Sequence, residues 1–471
     1  MRTSTIDVYP APKKIIPIVP YAVKGRYRNI KTFIMTIAYA VYFGLPWTVW
    51  HGHVRTGQPF LFDIENGRFN FFDLVVYPQD LMIFFAIMVT AACFLFIAAT
   101  FYGRVFCGFF CFQTIWTDAF RMIEQFIQGE AQARIRLSKQ PWNIEKFSKL
   151  FITHVLWLLF AIATATTFTL YFSDAPKLLI DIFRGHAAIP AYVTVISLTF
   201  TTYVAAGIAK EDICRVACPY GKFQSIMQDP MTKTVTYDSI RGEREKGRVA
   251  PSKAIKDPTQ RASLGYGDCV DCGYCVNVCP TGVDIRKGFQ IDCISCGLCI
   301  DACDSIMNAV KLPTGLIRFN SLTKQSSVSN EYRFSNHINK IGYFSFLILS
   351  VGFIAYQITN LSPYSVNIQQ QAQPLVTMLA DGSYKSRYVV RISNKSNVNE
   401  KFQILAIGLP EKVKLDKNVF EVPAGKSYTH TVDMILSEQN AKTLKSFYMV
   451  VKPSNTHNRI ESIRLNYNFK P

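Results

Sequence analysis

Apolar residues are clumped along the chain rather than evenly spread. Five windows are apolar over roughly 20 residues, the length that crosses a bilayer as a helix. They run from Ile30 to Trp50, Leu81 to Phe101, Leu150 to Phe172, Ala188 to Ala209 and Ile341 to Ile358. A long polar and basic stretch precedes the first window, so that window is expected to be a retained anchor and not a cleavable signal. Beyond Asn360 the period changes. Y-V-V-R-I-S-N, F-Q-I-L-A-I-G-L-P, Y-T-H-T-V-D-M-I-L and S-F-Y-M-V-V-K-P are short alternating runs separated by turn residues, which predict strands and, at that spacing, a small immunoglobulin-like β-sandwich. G-K-S at Gly425 to Ser427 falls in a turn between two strands and lacks the first glycine of a phosphate loop.

Charge orients this pattern. The net charge is +18 over 471 residues, a balance that raises nucleic acid as a partner. The basic residues sit in alternate loops, however, and the positive-inside rule accounts for them more economically. Lys13, Lys14, Lys24, Arg26 and Arg28 precede the first window, and Arg104, Arg121, Arg134, Arg136, Lys139, Lys146 and Lys149 follow the second. The segment from His51 to Asp80 carries only Arg55 and Arg68, and that from Ser173 to Ala187 only Lys177 and Arg184. The expected topology has a cytoplasmic N-terminus and a C-terminus on the outer side. All thirteen cysteines precede Asp304 and, apart from Cys93 inside the second window, fall on or near the expected cytoplasmic side, as reduced thiols should.

The cysteines carry the chemistry. Cys269 to Cys303 holds the run C-x2-C-x2-C-x3-C twice, the bacterial ferredoxin spacing in which three thiolates bind one cubane and the fourth reaches its neighbour. The predicted sets are Cys269, Cys272, Cys275 and Cys303 for one [4Fe-4S] cluster, and Cys279, Cys293, Cys296 and Cys299 for the other. Gly273 and Gly297 take matching positions, where the chain must wrap closely. Pro280 ends the first run, whereas Asp304 follows the second, so the two exits differ. Paired C-x2-C motifs also build zinc ribbons, but the duplicated spacing favours clusters.

A second constellation is Cys107 with Cys111 in G-R-V-F-C-G-F-F-C-F-Q, and Cys214 with Cys218 in D-I-C-R-V-A-C-P-Y-G-K-F-Q. Two C-x3-C pairs, each after an outward-to-inward span, form an internal repeat in which an aromatic residue and a glutamine follow the second cysteine. Within a helix such cysteines share one face, so all four would meet at the cytoplasmic mouth of the bundle. Soft thiolates at that place suit Cu(I), zinc or an iron–sulfur cluster, or a reversible dithiol. A role as small buried hydrophobes fits Cys93 better than these pairs.

The histidines are less specific. His51 and His53 offer a metal pair or a polar turn beside Trp47 and Trp50. His154 offers an intramembrane functional group or a hydrogen bond between helices. The connector between Met231 and Gly267 alternates in charge, which solvates it or docks an acidic electron donor.

The expected protein is a multi-domain integral membrane protein. It has a tail (1–29), a four-helix transmembrane domain (30–230), a basic connector (231–267), an α+β two-cluster ferredoxin module (268–312), a linker (313–340), a fifth transmembrane helix (341–359) and an all-β domain (360–471). In this order of parts, and in G-R-V-F-C-G-F-F-C, C-R-V-A-C-P-Y-G-K-F-Q and the eight-cysteine run, the chain resembles the cytochrome cbb3 oxidase accessory proteins of the FixG/CcoG type. The resemblance implies a bacterial inner-membrane protein with a periplasmic C-terminal domain. It also implies reduction of Cu(II) to Cu(I) for the copper–haem centre of that oxidase, with Cys107, Cys111, Cys214 and Cys218 as the copper-handling or redox site. Partners implied are copper ions, copper-delivery or oxidase assembly proteins, membrane lipid and an unnamed electron donor. Two other roles share most of these features: a polyferredoxin between the quinol pool and a reductase, and a non-catalytic assembly scaffold.

Overall fold

The computed structural model describes residues 19–52, 56–64, 67–77, 81–228, 231–250, 258–321, 330–359, 364–371, 376–380, 382–395, 398–409, 419–444, 446–453 and 461–466. The first 18 residues, His53 and the connector residues 251–257 lie outside this set. The chain forms two compact units, one of residues 1–46 with 84–354 and one of residues 47–83 with 355–471.

Among the described residues five helices are long and apolar enough to cross a membrane: Arg26–Trp47, Met82–Tyr102, Ile144–Leu170, Ile189–Ala209 and Ile341–Thr359. Their apolar residues face outward as well as inward, with Phe33, Phe85, Met88, Val193 and Ile348 all exposed. That is how a helix solvated by lipid reads. The first unit begins with α1 (Arg26–Gly44) and α2 (Leu81–Tyr102). The segment after α2, read from sequence as a basic loop, is instead folded into α3 (Val105–Phe109), α4 (Phe112–Gln128) and α5 (Ala131–Lys139). Helix α4 is strongly amphipathic. Its Ile115, Trp116 and Phe120 pack with Met35 of α1, with Trp157 and Ala161 of α6 (Ile144–Leu170), and with Ala206. Helices α7 (Ala175–Arg184) and α8 (Ile189–Thr202) follow, and α8 runs on as a π-helix over Tyr203–Ala209. After a break at Lys210, which has φ +46°, a second π turn spans Ile213–Ala217 and α9 spans Pro219–Ile226.

The cysteine-rich module belongs to the same unit. It holds α10 (Ser239–Glu243), α11 (Pro258–Ser263), α12 (Tyr274–Asn277) and α13 (Leu298–Ala309), closed by antiparallel pairing of Lys233–Tyr237 with Ile317–Ser321. Helix α14 (Asn330–Thr359) follows. The segment ahead of α1 straps onto this module. The amide of Tyr21 donates to Asn277 O at 2.9 Å, and the Tyr274 hydroxyl donates to Ala22 O at 3.0 Å. Asp301 accepts from the amides of Tyr27 (3.1 Å) and Arg28 (2.8 Å). The N-terminus of α1, which has no cap from its own flank, is thus capped from α13.

In the second unit, strand Tyr384–Asn394 pairs with Ser427–Leu436 and Tyr364–Gln370, while Glu400–Ile407 pairs with Val419–Val422 and Ser446–Pro453. All pairings are antiparallel. The two sheets share one core, in which Tyr364 meets Phe402 and Tyr388 meets Phe447 edge-on. Strand Tyr384–Asn394 alternates buried and partly exposed positions over most of its length, the pleat expressed as sequence period.

Candidate redox site

The cysteine-rich module builds two cavities. Cys279, Cys293, Cys296 and Cys299 line one, with Ile294 and Leu298 among its apolar walls. Cys269, Cys272, Cys275 and Cys303 line the other, with Tyr237, Val270 and Ile317. These are the two sets of four expected from the spacing. Related backbone shapes produce them: Asp271 and Ser295 stand at φ +50° and +52°, and Gly273 and Gly297 at +66° and +75° as the N-caps of α12 and α13. The chain therefore turns twice in the left-handed region, bringing one thiol after another round the void. The exits differ, as the missing proline foretold. α12 ends at Asn277, whereas α13 runs on past Asp304, whose carboxylate accepts from the Gly315 amide at 2.8 Å.

The donor set fits a cluster. All thirteen cysteines are free thiols. Each set of four lines its own cavity, an arrangement suited to a group of several atoms with one ligand per corner. Burial pushes the Cys275, Cys293 and Cys303 thiols up to about 12 and Cys296 up to about 11. Thiols so disfavoured as anions need a metal to deprotonate them, and a coordinating metal does so outright. The Val283 amide already points at Cys279 Sγ (3.3 Å), the kind of N–H···S contact that tunes a cluster. Of the eight, Cys272 alone is exposed; Cys269, Cys275, Cys296 and Cys303 are buried and Cys279, Cys293 and Cys299 half-buried.

The C-x3-C pairs do not lie on continuous helices, as a simple i, i+4 reading assumes. Cys107 is in α3 and Cys214 in the second π turn, but Cys111 (φ −66°, ψ 130°) and Cys218 (φ −76°, ψ 111°) are extended, and each directly precedes the next helix. The repeat therefore survives as helical turn, extended cysteine, new helix. Its thiols are neighbours. Burial raises Cys214 to about 12, with Cys111 and Cys107 adding to the rise, and burial raises Cys107 against the pull of Arg104. The repeat's glutamines cross between halves. Gln224 accepts from the Cys107 thiol at 3.0 Å, and Gln113 donates to Ala205 O (2.8 Å) and Lys210 O (3.0 Å).

This site sits directly on the cavity lined by Cys279, Cys293, Cys296 and Cys299, the inner of the two. Cys107 shares a core with Val278, Ile294, Cys296, Leu298 and Ala302. Gly108 lies so close that a Cβ there would stand 2.7 Å from Ile294 O and 2.9 Å from Cys296 Cα. Arg104 joins the pieces by donating to Ile291 O and to Cys214 O (3.4 Å). Sequence reading counted Arg104 only as loop charge and passed over Lys31; the signals available were a basic residue three before Cys107 and a lone lysine inside an apolar window. Among the histidines, His154 Nδ1 is 2.8 Å from the Tyr203 hydroxyl of the neighbouring helix, and His51 is exposed at the end of a two-residue strand.

Comparison with known proteins agrees with these parts. A family model described as a 4Fe-4S dicluster domain matches residues 209–322, and one described as an IG-like fold at the C-terminal of FixG matches residues 354–469. Protein RdxB of Cereibacter sphaeroides is 37% identical over 450 residues, covering 92% of this chain and 91% of its own. Protein RdxA of the same organism is 34% identical, covering 83% and 82%, and the nitrogen fixation protein FixG of Rhizobium meliloti is 31% identical, covering 83% and 79%.

Proposed function

The chain belongs to the FixG family, and from that membership we propose that it reduces Cu(II) to Cu(I) for the copper–haem centre of a cbb3-type oxidase. Its 4Fe-4S dicluster domain makes it an iron–sulfur electron-transfer protein; the copper substrate, the oxidase and the bacterial inner membrane are our reading. So is the topology, with the N-terminus and cysteine module cytoplasmic and the C-terminal domain periplasmic.

The observation that carries the reading is the packing of Cys107 and Gly108 against the Cys296 loop. A thiol site is held against the wall of a cluster cavity with no room for water between. When bound, the two clusters supply one-electron storage and transfer at low potential. Cys269, Cys272, Cys275 and Cys303 would hold the outer one, and Cys279, Cys293, Cys296 and Cys299 the inner. Exposed Cys272 marks the side open to an electron donor. Cys107, Cys111, Cys214 and Cys218 would receive the copper ion. One electron from the donor converts one Cu(II) to Cu(I), and sulfur ligands favour Cu(I), whereas Cu(II) prefers tetragonal nitrogen and oxygen donors. Gln224 fixes the Cys107 thiol toward the second half of the repeat.

The test is metal analysis and Cu(II) turnover of the purified protein. About eight iron and eight sulfide per chain are expected, as two cubanes require. Serine at any of Cys107, Cys111, Cys214 or Cys218 should abolish turnover with the iron retained. Full turnover in all four variants would remove copper from this site.

A further inference from the structure

Arg104 is only 2% exposed, yet its guanidinium meets no carboxylate among the described ion pairs. Its hydrogen bonds go to the neutral carbonyls of Ile291 and Cys214, and its Nε is buried without a hydrogen-bond partner. Three other buried cations of this unit have an acid, Arg121 with Glu211, Arg134 with Glu124 and Lys31 with Asp118 at 3.7 Å, whereas Arg261, 1% exposed, shares the setting of Arg104 and donates to the carbonyls of Val249, Gly267 and Cys269. A buried guanidinium without a counter-charge is costly, so an anion is expected beside it. The groups around Arg104 that can supply one are thiols. It lies at Cys107 and Cys214 on one side, and on the other its Ile291 contact is two residues from Cys293, whose thiol feels its charge. Lys31, 3% exposed, acts on the same cavity from another direction, as the foremost charge felt by Cys296.

We propose that Arg104, assisted by Lys31, is the buried counter-cation of the centre held by Cys279, Cys293, Cys296 and Cys299, raising that centre's reduction potential selectively. The inference rests on the two-cluster reading above. Adding one electron makes a thiolate-ligated centre more negative, and a fixed positive charge in a poorly screened interior favours that state. The outer set has cations of its own, Arg286, which acts on Cys275 and is tied to Asp284 (2.8 Å) and Asp271 (2.5 Å), and Arg261, which donates to Cys269 O (3.4 Å), so a change at Arg104 bears on the inner centre and leaves these in place. Because Arg104 also donates to Cys214 O in the C-x3-C repeat, the cation that favours the electron's arrival lies on the side where it leaves. Arg104 is therefore a positioning residue, acting through charge and without ligating.

The experiment is an EPR-monitored redox titration of the full-length, cluster-loaded protein in detergent, with the outer signal identified by its change in Cys272→Ser. Arg104→Gln should disfavour reduction of the inner centre about tenfold, ~59 mV for one electron, and leave the outer midpoint in place. Arg104→Lys, which keeps the charge, should restore most of the shift. Lys31→Met should shift the same midpoint in the same direction, and it decides by the same criterion if Arg104→Gln does not load, since Asp118 keeps Arg28 as partner. An unchanged inner midpoint, equal shifts of both centres, or a lysine variant as low as glutamine overturns the proposal. Wild-type protein with one cluster or none would instead refute the reading beneath it.

Discussion

At the scale of single residues, Gly108 shows how much depends on a missing side chain. The atoms that a Cβ would strike belong to the backbone of Ile294 and Cys296, which cannot rotate aside. Gly108→Ala should therefore push the C-x3-C site off the inner cavity, at a cost of about 1–3 kcal/mol as for other overpacked interiors. The measurement is a lower melting temperature together with slower Cu(II) reduction at unchanged iron content. An alanine variant with wild-type melting and turnover would show that the close approach is not required. The glycine was visible in the motif, but its purpose was not, because the backbone it meets lies nearly two hundred positions later. The ferredoxin cysteines are the opposite case: their order along the chain already names both sets, since each turn places its own ligands.

At the scale of elements, α1 illustrates a helix whose body and whose end have different origins. Its apolar outward residues, Phe33, Ile37 and Val41, could be read from composition alone. Its cap could not, because Asp301 supplies it from α13. Asp301→Ala should lose about 0.5–2 kcal/mol, the usual worth of an N-cap, and faster hydrogen exchange at the Tyr27 and Arg28 amides is the readout. Asp301→Asn, which accepts through Oδ1 alone, should retain protection at only one of the two amides; identical exchange in all three proteins would remove the cap from the account. Helix α4 was legible in principle from Ile115, Trp116, Ala119 and Phe120 at helical spacing. It was masked by the arginines of that stretch, which invited a purely topological reading. The π turns at Tyr203–Ala209 and Ile213–Ala217 leave no comparable periodic mark.

At the scale of the first unit, buried charge joins α1 to α4 beside the apolar contact of Met35 with Ile115, Trp116 and Phe120. Asp118 is buried and holds Arg28 (2.8 Å) and Lys31 (3.7 Å). Asp118→Ala would strand two cations and should cost about 3–5 kcal/mol, seen as a large drop in thermal stability in detergent; a drop no greater than that of a surface aspartate would contradict the network. Burial works against the Asp118 carboxylate, but Lys31, Arg28 and Arg121 outweigh it and hold the group below its ordinary value. The sign follows: its contribution is present above the unfolded carboxylate pKa, about 3.9, and is lost as pH falls through the lower folded value. A melting temperature of the wild type that declines only in that acid window, and a flatter acid limb in Asp118→Asn, are the expected results.

What the sequence determined by itself is what short spacing encodes. The five apolar helices follow from hydropathy over about 20 residues, the β region from its period of two, and the two thiol sets from a ligand run that fits one kind of centre. What only the tertiary structure decided is how these parts meet: Gly108 against Cys296, Gln224 on Cys107, Asp301 on α1, and Arg104 between the two thiol sites. Those contacts join residues 110 to 274 positions apart where hydrogen bonds record them. They depend on shape and burial rather than on any period, so no window of the chain contains them.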